Sequence, residues 1–192
     1  MTKAPVILDL CGGGGTWSQP YADAGYDRRV VDVRSGMDVR WFTPPDNVHG
    51  ILAAPPCTEF AGSGARWWAD KPPGLLWEGL GIVMACLEII RKARPKWWAL
   101  ENPVGRLPRY IGPWRYTFQP YEYGGWANGG DAYTKRTCIW GKHRAPVKRP
   151  VELGSDGQAA DRIWRMGPGS ERANLRSVTP PGFASAFFDA NP

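Results

Sequence analysis

Val6-Ile7-Leu8-Asp9-Leu10-Cys11-Gly12-Gly13-Gly14-Gly15 is the stretch on which the fold turns. Val6–Leu10 is an apolar run too short for a helix, and four glycines close it, which is how a buried strand ends in a tight turn. Glycines directly after a first strand let the backbone approach a ligand closely where the next helix begins. Ser18 reads as the N-cap of that helix, Pro20 is tolerated in its first turn, and Gly25 marks its stop.

Working outward, Arg29-Val30-Val31-Asp32-Val33 is a second strand. Asp32 follows the glycine turn by about 20 residues, where an acid can accept hydrogen bonds from ribose hydroxyls. The pattern fits a nucleoside-bearing cofactor and does not separate NAD from S-adenosylmethionine. A tight strand-to-helix turn with no ligand would show the same glycines. Ile51–Ala54 is a third strand, cut off by Pro55-Pro56. Residues 58–73 hold Gly62, Gly64, Pro72 and Pro73 and predict an exposed, mobile loop. Gly74–Arg94 is the clearest helix: Leu76, Leu80, Val83, Leu87 and Ile90 recur at spacings of three and four, and Pro95 ends it. Lys96–Leu100 is the next strand, running into Glu101-Asn102-Pro103. Tyr116–Gln119 and Thr137–Trp140 are later strands, 142–176 is loop-rich, and Pro181–Ala190 is a last short helix.

Strands alternating with helices predict an α/β fold, a mostly parallel sheet with helices on both faces, as a single domain over residues 1–192. Ligands of such sheets sit at the carboxyl ends of the strands. The residues of chemical interest fall there: Gly12–Gly15, Asp32, Pro55-Pro56-Cys57 and Glu101-Asn102.

Composition narrows the chemistry. There is no run of 18 apolar residues, so no membrane span is expected, and the first residues lack the apolar stretch of a secretory signal, so a cytoplasmic protein is expected. The four cysteines, Cys11, Cys57, Cys86 and Cys138, show no metal-ligand spacing, so no metal site is expected. The two histidines, His49 and His143, stand beside no obvious nucleophile, which argues against Ser-His or Cys-His hydrolysis. Of the net charge of +6, all is carried between Thr134 and Arg176, where ten Lys and Arg face four acids. Such a block suits a polyanion, DNA or RNA, though it also suits an ordinary solvated surface.

Three short pieces carry candidate chemistry. In Pro55-Pro56-Cys57 two prolines stiffen the approach to a thiol facing the cleft, although a buried structural cysteine is common. Glu101 can act as a proton donor if a partly dry cleft raises its pKa, or be a solvated acid. Arg136, entering the strand Thr137–Trp140, can bind a carbonyl oxygen or pair with Glu101, or be a surface charge.

Taken in order, these pieces resemble the DNA cytosine-5 methyltransferases. Asp9-Leu10-Cys11-Gly12-Gly13-Gly14-Gly15-Thr16-Trp17-Ser18 is similar to the family's first motif, Asp-Leu-Phe-x-Gly-x-Gly-Gly-Phe-Ser. Pro56-Cys57 matches its nucleophile motif, and Glu101-Asn102-Pro103 resembles its Glu-Asn-Val. Of its Gln-x-Arg-x-Arg only the last arginine survives, as Arg136 after Ala132 and Thr134. Arg176-Ser177-Val178-Thr179-Pro180 resembles a closing Arg-x-Leu-Thr-Pro. The resemblance covers residues 5–141 and 175–190 and is to compact, phage-type members. Thr58 replaces the glutamine after the nucleophile, the final glycine-asparagine motif is absent, and some 35 residues stand in place of a large target-recognition region.

The resemblance implies a Rossmann-like methyltransferase fold and S-adenosylmethionine as cofactor, bound by Asp9, Cys11, Gly13, Gly15, Trp17, Asp32, Asp38 and Pro55. It implies Cys57, Glu101, Arg136 and Asn102 as the catalytic set. Cys57 adds to C6 of cytosine, Glu101 holds N3 and the exocyclic amine, Arg136 holds O2, and Asn102 positions the turn. DNA is the implied partner, single-stranded or with a base flipped out of the duplex. Ser63, Arg66, Trp67 and Trp68 would close over the base, and Lys135, Arg144, Lys148 and Arg149 would follow phosphates. Two other functions stay open: modification of a free cytosine nucleotide, and nucleic-acid binding without catalysis. An NAD-dependent oxidoreductase shares the glycine turn but has no use for Pro-Pro-Cys and Glu-Asn.

Overall fold

β1 (Val6–Leu10) is the strand around which the rest assembles, with every side chain buried. The computed structural model describes residues 4–128, 130–154, 160–161 and 177–192. β1 is flanked in parallel by β2 (Asp27–Val31) and β3 (Val48–Ala53). β4 (Trp97–Pro103) adds in parallel to β3. β6 (Thr137–Lys142) runs antiparallel to β4, and β5 (Tyr116–Phe118) closes the edge antiparallel to β6. The order is β2-β1-β3-β4-β6-β5. β6 is thus the one reversed strand, and it starts at the rim where its neighbours end.

Period-two alternation sends side chains to two apolar layers. On one face Leu8, Leu10, Ile51, Leu100 and Trp140 meet α2 (Pro73–Ala93), which buries Leu80, Val83, Cys86, Ile89 and Ile90. On the other face Ile7, Leu52, Ala99 and Ile139 meet α1 (Gln19–Asp23) and α4 (Pro181–Ala190) through Tyr21, Phe183 and Phe187. Phe118 of β5 stacks on Phe183 with centroids 3.8 Å apart. α3 (Pro108–Ile111) is a single turn. By length and composition α2 is apolar enough to cross a membrane, which the residue count alone had not suggested.

Several expectations need correcting. β2 begins two residues earlier than predicted and stops before Asp32, because the Asp32 side chain accepts from the Arg34 N–H and caps a 3-10 turn, Val33–Ser35. Ser18 is the N-cap residue of α1, as expected, but its hydroxyl makes no capping bond and donates to Asp9 instead. β5 ends at Phe118, one residue early, because the Gln119 N–H turns to Glu122 Oε2 at the start of a 3-10 helix, Pro120–Trp126. The 58–73 segment is largely exposed, as expected, but it is not irregular throughout. Phe60 is fully buried, Gly62–Trp67 is a 3-10 helix, and Ala61 bridges to Gly105. Of the loop-rich basic segment, 142–154 and 160–161 are described; Arg162, Arg165, Arg172 and Arg176 lie outside the described residues.

Candidate functional site

The glycine turn is built from residues that alternate into left-handed backbone. Cys11, Gly13 and Gly15 have φ of 55°, 55° and 72°, which for Cys11 is a strained conformation outside glycine. The turn is tied to the end of β2. The Cys11 N–H donates to Val31 O at 2.8 Å and the Gly13 N–H to Asp32 Oδ2 at 2.9 Å. Each Asp32 oxygen has accepted one backbone bond and keeps capacity for a second. A side chain placed at Gly14 would meet nothing within 4 Å, and one at Gly13 only the Arg34 guanidinium, at 3.6 Å. Gly13, Gly14 and Asp32 therefore frame one open backbone cradle, closed at Gly15, where a Cβ would lie 3.0 Å from Val30 and 3.2 Å from Arg28.

The other expected cofactor residues do not join it. Trp17 is a core residue, buried against Phe183 and Phe187 with centroids at 6.0 and 5.6 Å. Asp9 lies buried under the turn, where Oδ2 accepts the Ser18 hydroxyl at 2.5 Å and a Cβ on Gly12 would collide with its carboxyl at 2.4 Å. Burial pushes the Asp9 carboxyl up to about 6, against the pull of Ser18 and Arg28. Asp38 is committed to Arg40, which donates from its backbone and its guanidinium. Pro55 is buried and offers its carbonyl to Asn102.

That last bond organises the thiol. Asn102 is buried near the end of β4, and its Nδ2 donates to Pro55 O at 3.0 Å, two residues before Cys57. Pro55-Pro56 carries the chain past β3, and the Cys57 carbonyl accepts from the Phe60 and Ala61 N–H groups at 2.9 Å. Cys57 is half-buried and reduced. Arg106, to which no sequence signal pointed, clamps the following residues. Its Nε donates to Glu59 O at 2.7 Å, its N–H to Phe60 O, and its guanidinium lies 4.5 Å from the Trp68 ring centroid. Lys71 pairs with Glu59 at 2.9 Å.

Glu101 precedes Asn102 and so faces the other layer. It is 8 % exposed, and its Oε2 has no hydrogen-bond partner among the described residues. Burial raises its pKa, opposed by the charge of Lys135. Glu101, Phe118, Lys135, Thr137, Thr179, Pro180 and Phe183 line one small pocket. Arg136 is not among them, which corrects the expected Glu101–Arg136 pair. It is exposed, and its charge acts on Cys138, a buried thiol held up at about 12. Cys57 does not line the pocket either; the two sites are neighbours through Asn102.

The expected nucleic-acid residues split into two groups. Ser63, Arg66, Trp67 and Trp68 stand on the segment after Cys57, with Arg66 over the exposed Trp67 ring at 4.9 Å. Arg144, Lys148 and Arg149 belong to a strap laid along the 3-10 helix Pro120–Trp126. The Arg144 N–H donates to Asn191 Oδ1, Lys148 pairs with Glu122 at 2.6 Å, and Arg149 stacks 3.6 Å from Trp126. Among the described residues no cluster of His, Cys, Asp and Glu could hold a metal ion.

No family model matches the chain. Over 128 residues it is 29% identical to a probable DNA (cytosine-5)-methyltransferase of Frog virus 3 (isolate Goorha), covering 62% of this chain and 56% of that protein. The chain thus spans little more than half the length of the curated relative it matches. A solved E. coli structure, described as a DNA modification methyltransferase encoded within a prophage, aligns over 92% of this chain and 52% of its own, with a TM-score of 0.46 and 14% identity. The stretches that resemble cytosine-5 methyltransferase motifs lie at the strand ends described above. The glycine turn follows β1, Pro-Cys follows β3, and Glu-Asn lies near the end of β4.

Proposed function

We propose that the chain transfers a methyl group from S-adenosylmethionine to C5 of cytosine in DNA, with Cys57 as the nucleophile. The observation that carries this reading is the Asn102–Pro55 bond. It fastens the strand end that bears Glu101 to the turn that bears Cys57, so an acid and a thiol share one rim beside the glycine cradle. The cradle fits the cofactor: backbone at Gly13–Gly14 is open to close approach, and Asp32 retains acceptor capacity for a ribose. When bound, the cofactor supplies an electrophilic methyl on sulfonium sulfur.

C5 of cytosine is a weak nucleophile until something adds at C6. In this reading the Cys57 thiolate forms an S–C6 bond, and the displaced electron pair gives the ring enamine character at C5. Glu101, kept protonated more readily by its dry setting, donates to N3 and offsets the charge that moves there. C5 takes the methyl, the C5 proton leaves to a base, and the returning pair expels Cys57 as thiolate. Within a duplex the C6 edge is stacked, so the base must be turned out or offered on a single strand. In this reading the Gly62–Trp68 segment, which follows Cys57 and is held through Arg106, covers the extruded base.

The test is tritiated S-adenosylmethionine with a cytosine-containing oligonucleotide and with a free cytosine nucleotide. Wild type is expected to label the oligonucleotide at C5 and Cys57→Ser to label neither. A 5-fluorocytosine oligonucleotide should trap wild type as a stable adduct. Label transfer that survives Cys57→Ser refutes the covalent route, and label on the nucleotide alone moves the substrate to the free-nucleotide class.

A further inference from the structure

We propose that Lys135, not Arg136, is the cation that works with Glu101. The pairing stands on the geometry alone; what it does for the reaction rests on the methyl-transfer reading above.

β4 and β6 pair Glu101 with Ile139, Asn102 with Cys138 and Pro103 with Thr137. Side chains of directly paired residues share a face, and alternate residues of one strand share a face. Glu101, Ile139 and Thr137 therefore point to the α4 side, while Asn102 and Cys138 point to the α2 side. Lys135, two residues ahead of β6, lines the pocket with Glu101 and Thr137. Arg136 does not line it, is exposed, and exerts its charge on Cys138.

The Lys135 side chain is also held. Its Nζ donates to Val178 O at 3.0 Å, just before Thr179 and Pro180 enter the pocket wall, and its N–H donates to Gln119 Oε1 at 2.9 Å. Phe118, Pro180 and Phe183 supply apolar walls, which strengthen any charge interaction between them. Among the described residues, Lys135 is the charged group whose charge reaches Glu101, and Asp131 is engaged at the Gly182 N–H at 2.7 Å. When a thiolate adds to C6, negative charge moves toward N3 and O2. A protonated Glu101 at N3 and an ammonium near O2 would meet both, with the lysine acting as a point charge where an arginine would act as a fork.

The test is a carboxyl-carbon NMR titration of Glu101 in the full chain labelled at glutamate side chains. Lys135→Met is expected to move the Glu101 midpoint upward, Lys135→Arg to leave it close to wild type, and Arg136→Met to leave it in place. An unmoved midpoint in Lys135→Met, or an equal shift in Arg136→Met, overturns the pairing. Should Lys135→Met not fold, the Lys135 side-chain resonance in wild type answers the same question. It must move in step with Glu101 titration and lose that inflection in Glu101→Gln; a resonance that ignores Glu101 overturns the pairing. In the methyl-transfer assay Lys135→Met should lower kcat about 100-fold with KM for DNA little changed, and Arg136→Met should spare kcat. An unchanged kcat in Lys135→Met overturns the catalytic role. A wild type that transfers no methyl refutes the proposed function and leaves the titration result standing.

Discussion

Asp9 shows what a single buried group does to this molecule. Its folded carboxyl titrates near 6, well above an unfolded aspartate, because burial outweighs the hydrogen bond from Ser18. A raised folded pKa stabilises the fold below the unfolded pKa, and that contribution is lost as pH rises through the folded value. Asp9→Asn keeps an acceptor for Ser18 and removes the titration. The variant should match wild type near pH 4 and gain on it by roughly 3 kcal/mol by pH 8, measured by urea unfolding at both. A difference that stays constant across that range would show that Asp9 is not buried as described. Asn102 acts at the same scale on function. Asn102→Ala frees the Pro55 carbonyl and should cost about 1–3 kcal/mol of stability. Methyl transfer should fall more steeply than stability, because the Cys57 turn loses its link to Glu101.

Among the elements, the strands were legible because their apolar runs are short and stopped by glycine or proline. The long helix was legible because its period is unbroken from Leu76 to Ile90. The segment after Cys57 was not. Gly62 and Gly64 read as flexibility, whereas Phe60 inserts fully into the core and Arg106, about 50 residues on, fastens the backbone from outside. Long-range contacts of that kind leave no local pattern. The Glu101 site was half legible for a related reason. Motif order located the acid, but choosing between Lys135 and Arg136 needed the pocket wall, where Lys135 stands with Glu101, Phe118 and Phe183 from elements far apart in the chain. The same reasoning predicts the effect of Gly105→Ala. A Cβ there would lie 1.8 Å from Phe60 O, so the Ala61–Gly105 bridge must open. The expected loss is about 2 kcal/mol, together with a change in tryptophan fluorescence from Trp67 and Trp68. A variant that keeps wild-type stability and fluorescence would mean that the bridge does not hold this segment.

At the scale of the whole molecule, one apolar layer carries α2 and the other is closed by α4. Phe183 belongs to both the second layer and the Glu101 pocket. Phe183→Ala should cost about 3–5 kcal/mol, with a greater loss of turnover than the folded fraction accounts for. The chain's final helix is latched through Asn191, whose side chain bonds both backbone groups of Arg144 and whose carbonyl accepts the Tyr21 hydroxyl at 2.9 Å. From that latch the strap climbs back along the 3-10 helix, with Val151 bonded to Tyr121, Gly154 to Ala132 and Thr134 to Ala160. The backward course of β6 makes this climb necessary. A connection that leads into such a strand hangs over the mouth of the molecule, whereas one that leaves it departs from the floor. Extra residues spliced in ahead of Thr137 would crowd the rim that holds the glycine turn, Cys57 and Glu101. Residues added directly after Lys142 would start from the opposite edge of the sheet and leave that rim clear.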